Sequence, residues 1–449
     1  MTTCHSALID RTLPRYTSYP TAPHFHAGID GETYGRWLDE LTPDLPLSAY
    51  VHVPYCDTLC WFCGCHTKIT QRYRPVAQYL EGLLAEIDLV ADRLRSPRIL
   101  GHVHWGGGTP TILEPGGIIA LGAHLARRVQ IAPDAEFAVE IDPRGLDRAR
   151  VAALACAGIT RASLGVQDVD ADIQRAINRI QPFEVTARAV EWLRADGVGA
   201  INLDLMYGLP HQTARHVATT VDAALSLEPA RVSLFGYAHV PWMKPHQRMI
   251  PADALPDGAA RIAQLAVARD RLERAGYQAI GLDHFARPDD ALALAARKGR
   301  LRRNFQGYTA DDAPALLGFG ASAIGALPSG YAQNDPDIRA WRRRVHAGAF
   351  ATARGIALTP DDRFRGHVIE RLMCDLAVDL DAVARMHRQD PAARGPERRA
   401  LADLAAQGVV VLDGSRVTGP EASRALVRVV AAAFDRYLAR GTGRHSRAA

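Results

Sequence analysis

The feature that most constrains the fold is an alternation running from about residue 48 to residue 290, in which an apolar run of strand length is repeatedly followed by a stretch with helical period. The strand candidates are YVHV at 50–53, ILGHVHW at 99–105, FAVEI at 137–141, ASLGV at 162–166, INLDLM at 201–206, VSLFGY at 232–237 and YQAIGL at 277–282. Between the first two, Val76, Tyr79, Leu80, Leu83, Leu84, Ile87 and Val90 recur three and four apart and share one helical face. Strands separated by helices join in parallel βαβ units, because a parallel neighbour is reached only through a long crossover. Such a succession predicts an α/β fold, a curved sheet or partial barrel whose binding loops gather at the C-terminal edge.

The loop after the first strand carries four of the chain's seven cysteines, Cys56, Cys60, Cys63 and Cys65, within ten positions. Three thiolates spaced by three and then two residues can wrap one loop around a metal centre. A cubane held by three cysteines keeps one iron open to a substrate or cofactor. Structural zinc takes paired ligands with a second pair after a longer gap, and no second pair follows here. The ordinary ferredoxin run also needs a further cysteine. On spacing, an open-site iron-sulfur cluster, a zinc site and a cluster of redox or structural thiols all stand. An odd number of cysteines crowded in one loop is not a disulfide framework and suits a reducing compartment.

With 449 residues, 48% hydrophobic and 23% charged, the chain can bury a large core in two or three domains. A net charge of +4 argues for neither nucleic acid nor a membrane surface as partner. No stretch approaches the roughly 18 apolar residues of a spanning helix, and the N-terminus lacks the pattern of a secretion signal, so the expected location is the cytoplasm.

CDTLCWFC at 56–63 resembles the CxxxCxxC signature of the radical S-adenosylmethionine enzymes, and Gly64-Cys65 extends it to the form of the oxygen-independent coproporphyrinogen III oxidases. The resemblance continues in order through RYTSYPTA at 15–22, HWGGGTPT at 104–111, EIDPR at 140–144, LGVQD at 164–168, DLMYGLP at 204–210, YAHVP at 237–241, DHFARPDD at 283–290 and NFQGYT at 304–309. It implies a radical-SAM partial (β/α) barrel over 46–290, preceded by an N-terminal arm over 1–45. A loop-rich extension over 291–358 packs on the barrel, and a mainly helical, winged-helix-like domain spans 359–449.

The same resemblance implies a 4Fe-4S cluster on Cys56, Cys60 and Cys63, with Cys65 not a ligand, and two molecules of S-adenosylmethionine. The first would meet Tyr50, Gly107, Gly108, Thr109, Glu140 and Ile324. For the second, the matching positions are Phe62, Gly108, Thr109, Gln167, Arg179, Asp204 and Ala238, with Arg179 on its carboxylate, and neither Arg179 nor Asp204 touching the cluster. Taken alone, the glycine triplet is also a tight turn, Glu140 and Asp204 are also partners for structural salt bridges, Tyr50 is a core aromatic and Arg179 a surface charge. GFGASAIG at 318–325 lacks both a preceding strand and the third glycine of a dinucleotide fingerprint, which excludes a nicotinamide site.

The implied reaction converts two propionates of coproporphyrinogen III to vinyl groups through a 5'-deoxyadenosyl radical, giving protoporphyrinogen IX in heme biosynthesis. The implied partner is a low-potential flavodoxin- or ferredoxin-type electron donor, and the chain is expected to be a monomer. Four propionates require cations around the substrate, which the motifs do not assign. Arg15 and Tyr16 of the arm are candidate substrate contacts. The nearest alternative is a radical-SAM-like heme chaperone, whose members lack the counterpart of Cys65 and most of the arm. A zinc-stabilised winged-helix regulator is the alternative from another class, but its recognition segment, PERRALADLAAQG, balances three arginines with Glu397 and Asp403. Arg436, Arg440, Arg444 and Arg447 read as a solvated, mobile basic tail.

Overall fold

The computed structural model describes Leu8 and residues 11–94, 98–390 and 394–438. Its body is one 12-stranded sheet. Numbered along the chain, the strands are β1 (Leu47–Val53), β2 (Ile99–Gly107), β3 (Gln130–Ile141), β4 (Arg161–Gln167), β5 (Ala200–Tyr207), β6 (Arg231–Gly236), β7 (Gln278–Ile280), β8 (His284–Ala286), β9 (Ala315–Phe319), β10 (Ile324–Leu327), β11 (Gly330–Asn334) and β12 (Thr352–Ala357). Their spatial order is β12-β11-β10-β9-β1-β2-β3-β4-β5-β6-β8-β7, so the sheet is open and its two edges are distant strands. From β9 through β6 every neighbouring pair is parallel, as the alternation predicts. The flanks are antiparallel.

Two expectations are corrected at those flanks. YQAIGL supplies β7, but β7 reaches the sheet only through β8, antiparallel to β6, rather than as another parallel unit. The passage after residue 290, expected to be loop-rich, carries β9 to β12. Ala315, Leu317 and Phe319 are buried, and β9 lies parallel to β1 with Tyr50 opposite Gly318. Gly318 and Gly325 allow this crowding, since a Cβ on Gly318 would stand 2.8 Å from the Gly325 nitrogen. GFGASAIG therefore does follow a strand, and the missing third glycine alone excludes the dinucleotide site.

The sheet is polar on one face. Along β1, Leu47, Ala49, Val51 and Val53 are fully buried in the main apolar core, and period 2 sends Ser48, Tyr50 and His52 to the other side. The same alternation puts His104, Glu140, Ser163 and Asp204 on the inner face of β2 to β5. At the strands' N-terminal ends the interior is closed by ion pairs. Arg161 meets Glu136 at 2.9 Å and Asp290 at 3.1 Å, while Arg231 meets the same carboxylates at 3.3 and 2.6 Å. Ligand space is left at the opposite, C-terminal edge.

Outside the sheet, helix α1 (Gly31–Asp39) of the arm buries Tyr34, Trp37 and Leu38 in the main core, and α2 (Tyr73–Leu94) buries Val76, Tyr79, Leu83, Ile87 and Val90 as its period predicts. A second core joins Leu13, Tyr16 and Tyr19 of the arm to helices 360–375, 380–386 and 395–406 and a small sheet of 377–379, 411–413 and 416–418. The Tyr16 hydroxyl donates to Asp435 at 3.1 Å. The arm is thus a wedge between two cores. Arg436 is likewise not a solvated tail residue, because it meets Asp361 at 2.6 Å. Arg440, Arg444 and Arg447 lie outside the described residues. No helix among the described residues is long and apolar enough to cross a membrane.

Candidate functional site

The cysteine loop leaves β1 at Pro54 and is held by contacts from several other loops. The Trp61 amide donates to the Ile177 carbonyl at 3.0 Å, Asn178 donates to the Leu59 carbonyl at 2.8 Å, and Gln247 donates to the Phe62 carbonyl at 2.9 Å. His246 Nε2 lies 2.8 Å from the Cys63 carbonyl, and Lys244 donates to that of Cys65 at 2.8 Å. The loop is therefore fixed from outside itself.

Cys56, Cys60, Cys63 and Cys65 all line one cavity of about 150 Å³. Cys60 is buried and Cys65 exposed. Arg144 and Arg179 approach the Cys60 sulfur at 3.3 and 3.4 Å, and both pair with Asp142, at 2.6 and 3.1 Å. Two guanidiniums thus lie against one sulfur. Burial pushes the Cys56 thiol up to about 12. Cys63 is drawn down by the neighbouring Cys65 thiol, with Lys244 and His246 acting in the same direction. Among the described residues no three His, Cys, Asp or Glu side chains converge tightly enough for a single ion. Three thiols spread along one wall suit a polynuclear cluster, whose separate iron corners each take a ligand.

Opposite the thiols, glycines replace side chains. A Cβ on Gly106 would stand 2.8 Å from the Glu140 carboxylate, one on Gly108 would stand 2.3 Å from the Tyr55 carbonyl, and Gly107 has φ +116°. The Gly107 amide donates to Glu140 at 3.1 Å, and those of Gly108 and Thr109 donate to the Val53 and Tyr55 carbonyls at 2.9 Å each. Glu140 also meets His104 Nε2 at 3.0 Å. Burial pushes the Glu140 carboxyl up, but the bonds from His104 and Gly107 outweigh it and hold the group below its ordinary range. Asp204 differs. Burial dominates and raises it, although Ser163 donates to it at 2.9 Å and Asn202 at 2.8 Å.

The cavity wall brings together Cys56, Cys60, Cys63, Phe62, Gly107, Gly108, Glu140, Gln167, Arg179 and Asp204. Four other expected positions lie off it. The Tyr50 ring stacks on His104 with centroids 5.8 Å apart, one residue behind Glu140. Thr109 is buried and accepts from the Asp142 amide at 3.1 Å, so its hydroxyl serves the fold. Ile324 stands in β10, two strands from β1, and Ala238 lines a different, larger cavity. Arg179, expected not to touch the cluster, stands against the sulfur of Cys60, one of the expected ligands. Its Nε is buried with no hydrogen-bond partner among the described residues. Asp142 and Arg144 were missed as site residues. Both stand in the EIDPR motif, the signal that was available.

A model of the radical SAM superfamily matches residues 50–224. The chain is 52% identical over 439 residues to the oxygen-independent coproporphyrinogen III oxidase of Bradyrhizobium diazoefficiens, covering 98% of each chain. It is 45% identical over 432 residues to the enzyme of the same name from Paracoccus denitrificans, covering 96% of this chain and 95% of that one. The solved coproporphyrinogen III oxidase (HemN) of Escherichia coli, described as a radical SAM enzyme, superposes with a TM-score of 0.90 at 37% identity, over 95% of this chain and 100% of that one. A full-length match of that closeness, on a three-cysteine loop facing a glycine-walled cavity, places this chain in the family of oxygen-independent coproporphyrinogen III oxidases within the radical SAM superfamily.

Proposed function

We infer that the protein carries out the oxygen-independent oxidative decarboxylation of two propionates of coproporphyrinogen III, giving the two vinyl groups of protoporphyrinogen IX in heme biosynthesis. The observation that carries this is the cysteine loop opposite Gly106–Gly108 and Glu140, in a chain similar over its whole length to named oxidases. When bound, a 4Fe-4S cluster and S-adenosylmethionine supply a 5'-deoxyadenosyl radical by one-electron reductive cleavage. Each propionate then loses one β-hydrogen atom, one electron and carbon dioxide as its vinyl double bond forms.

Cys56, Cys60 and Cys63 would hold the cluster, with Arg144 and Arg179 against the Cys60 sulfur. Ionised Glu140, oriented by His104 and the Gly107 amide, accepts from the first adenosylmethionine. Gly107, Gly108 and Thr109, their amides bonded within the fold, border the amino-acid end of that ligand. A second adenosylmethionine would lie beside the first, its carboxylate on Arg179 Nε, which has no hydrogen-bond partner among the described residues, and a donor group on Asp204. Phe62 packs against its apolar part, Gln167 adds a polar contact, and Ala238 and Ile324 border the two ligands. The protein works in the cytoplasm as a monomer, and a flavodoxin- or ferredoxin-type protein reduces the cluster past the exposed Cys65.

The heme chaperone reading is disfavoured by Cys65, by the arm locked between two cores and by the oxidase names of the full-length relatives. Anaerobically reconstituted protein, given a reductant, adenosylmethionine and coproporphyrinogen III, is expected to form divinyl product. A cluster-replete protein that binds heme and forms no vinyl group would support the chaperone.

A further inference from the structure

A cavity of about 470 Å³ opens between the ends of β5 and β6, the arm, helix α3 (Gly258–Arg274) and the C-terminal domain. Arg15, Arg261, Arg303 and Arg428 reach its wall, against the carboxylates Asp257 and Asp283. Both carboxylates are engaged. Asp257 caps α3 by accepting from the Ala260 amide at 2.8 Å, and Asp283 lies 2.8 Å from His284 Nδ1. This wall thus carries four guanidiniums and two carboxylates among its lining side chains.

Arg303 is the centre of the cluster. Its plane lies 4.4 Å over the Tyr308 ring, and Nη2 donates to the Arg15 carbonyl at 3.3 Å. Its Nε and Nη1 are buried and have no hydrogen-bond partner among the described residues. Arg428 donates to the Pro14 carbonyl at 2.9 Å and to that of Leu13, and so fixes the stretch of arm that carries Arg15. Burial pushes the Arg428 guanidinium down to about 9, and Arg15 and Arg303, crowded against it, act in the same direction. Such crowding is unfavourable in the folded protein, and an entering polycarboxylate relieves it.

We propose that this cavity seats carboxylates of the tetrapyrrole substrate, with Arg15 and Arg303 as their direct partners and Arg428 as the residue that positions the arm. The proposal rests on the oxidase reading. It places substrate against Ala238 and the β6 end, beside the cysteine-lined cavity at the same edge of the sheet.

The test is equilibrium binding of coproporphyrin III and of its tetramethyl ester to cluster-replete protein, with vinyl formation measured on the wild type. Wild type is expected to prefer the free acid. Arg303→Gln should weaken acid binding roughly tenfold to a hundredfold with ester binding and iron content unchanged, and Arg303→Lys should recover part of the loss. Arg15→Gln, at an exposed position, should shift the acid-to-ester preference in the same sense and serves if Arg303→Gln fails to fold. Unchanged acid binding in both glutamine variants, with a wild type that forms vinyl product, would overturn the carboxylate seat and leave the oxidase reading intact. A wild type that neither binds the acid nor forms product would overturn both.

Discussion

The two cavities at the C-terminal edge of the sheet are built in opposite ways. The cysteine-lined one is made by the parallel strands and their own loops, and most of its charges pair within it, Asp142 with Arg144 and Arg179 and Glu140 with His104, while Asp204 has only neutral donors. The arginine-lined one is assembled from the arm, α3, the 283–303 segment and the C-terminal domain, and is lined by four guanidiniums and two carboxylates. A site for a resident cofactor can be largely paired before anything binds, whereas a site for a polyanion is completed by its ligand. The difference separates what should break each cavity.

The largest effect is expected at Cys60. Cys60→Ser should lose the cluster and reduce vinyl formation to background, and Cys65→Ser should keep its iron; equal iron loss in both variants would make Cys65 a ligand. Next comes Glu86, a buried carboxylate of α2 that accepts from the Gly320 amide at 2.6 Å, Asn334 at 2.7 Å and Trp341 at 3.1 Å, tying the β9 end to the helix beside the cysteine loop. Burial raises its pKa from 4.5 to about 7 despite these donors. The folded protein therefore holds this proton more tightly than the unfolded chain between those values, so stability contributed here is present below the lower pKa and falls as pH rises through the upper one. The total change across that window amounts to about 3 kcal/mol at most. Denaturant unfolding at several pH values should show it in the wild type and not in Glu86→Gln.

Asp204→Ala sharpens the comparison within the cysteine-lined cavity. It should weaken adenosylmethionine binding by roughly tenfold to a hundredfold with iron retained. Arg179→Ala should lower both, because Arg179 also touches Cys60. Identical iron contents in the two variants would remove the role given to that contact. The smallest effect is expected at Arg428→Lys, which loses the fork that grips two arm carbonyls and keeps the charge. Its KM for coproporphyrinogen III should rise severalfold with kcat little changed.

The cysteine-lined cavity was legible in sequence because its residues fall in short motifs at the ends of strands whose order the alternation predicts. What stayed hidden was set by distance along the chain or by local pattern. Arg144 stands beside recognised motif residues, yet only the fold turns it towards Cys60. Glu86 is a carboxylate inside a helix, where a solvated face is the ordinary reading. β9 to β12 were obscured by glycines that permit close strand packing, and these same glycines imitate a loop. The arginine-lined cavity spans residues from Arg15 to Arg428, and no local spacing brings those together. Arg436 looked like part of a basic tail until folding set it on Asp361.

The separation of the two cavities is tested most directly by the binding isotherm of coproporphyrin III on wild type, Cys60→Ser and Arg303→Gln, with iron counted on each. The structure predicts that Cys60→Ser, without iron, binds the tetracarboxylate as wild type does, while Arg303→Gln, with full iron, binds it roughly tenfold or more weakly. Loss of tetracarboxylate affinity in Cys60→Ser as large as that in Arg303→Gln would contradict it.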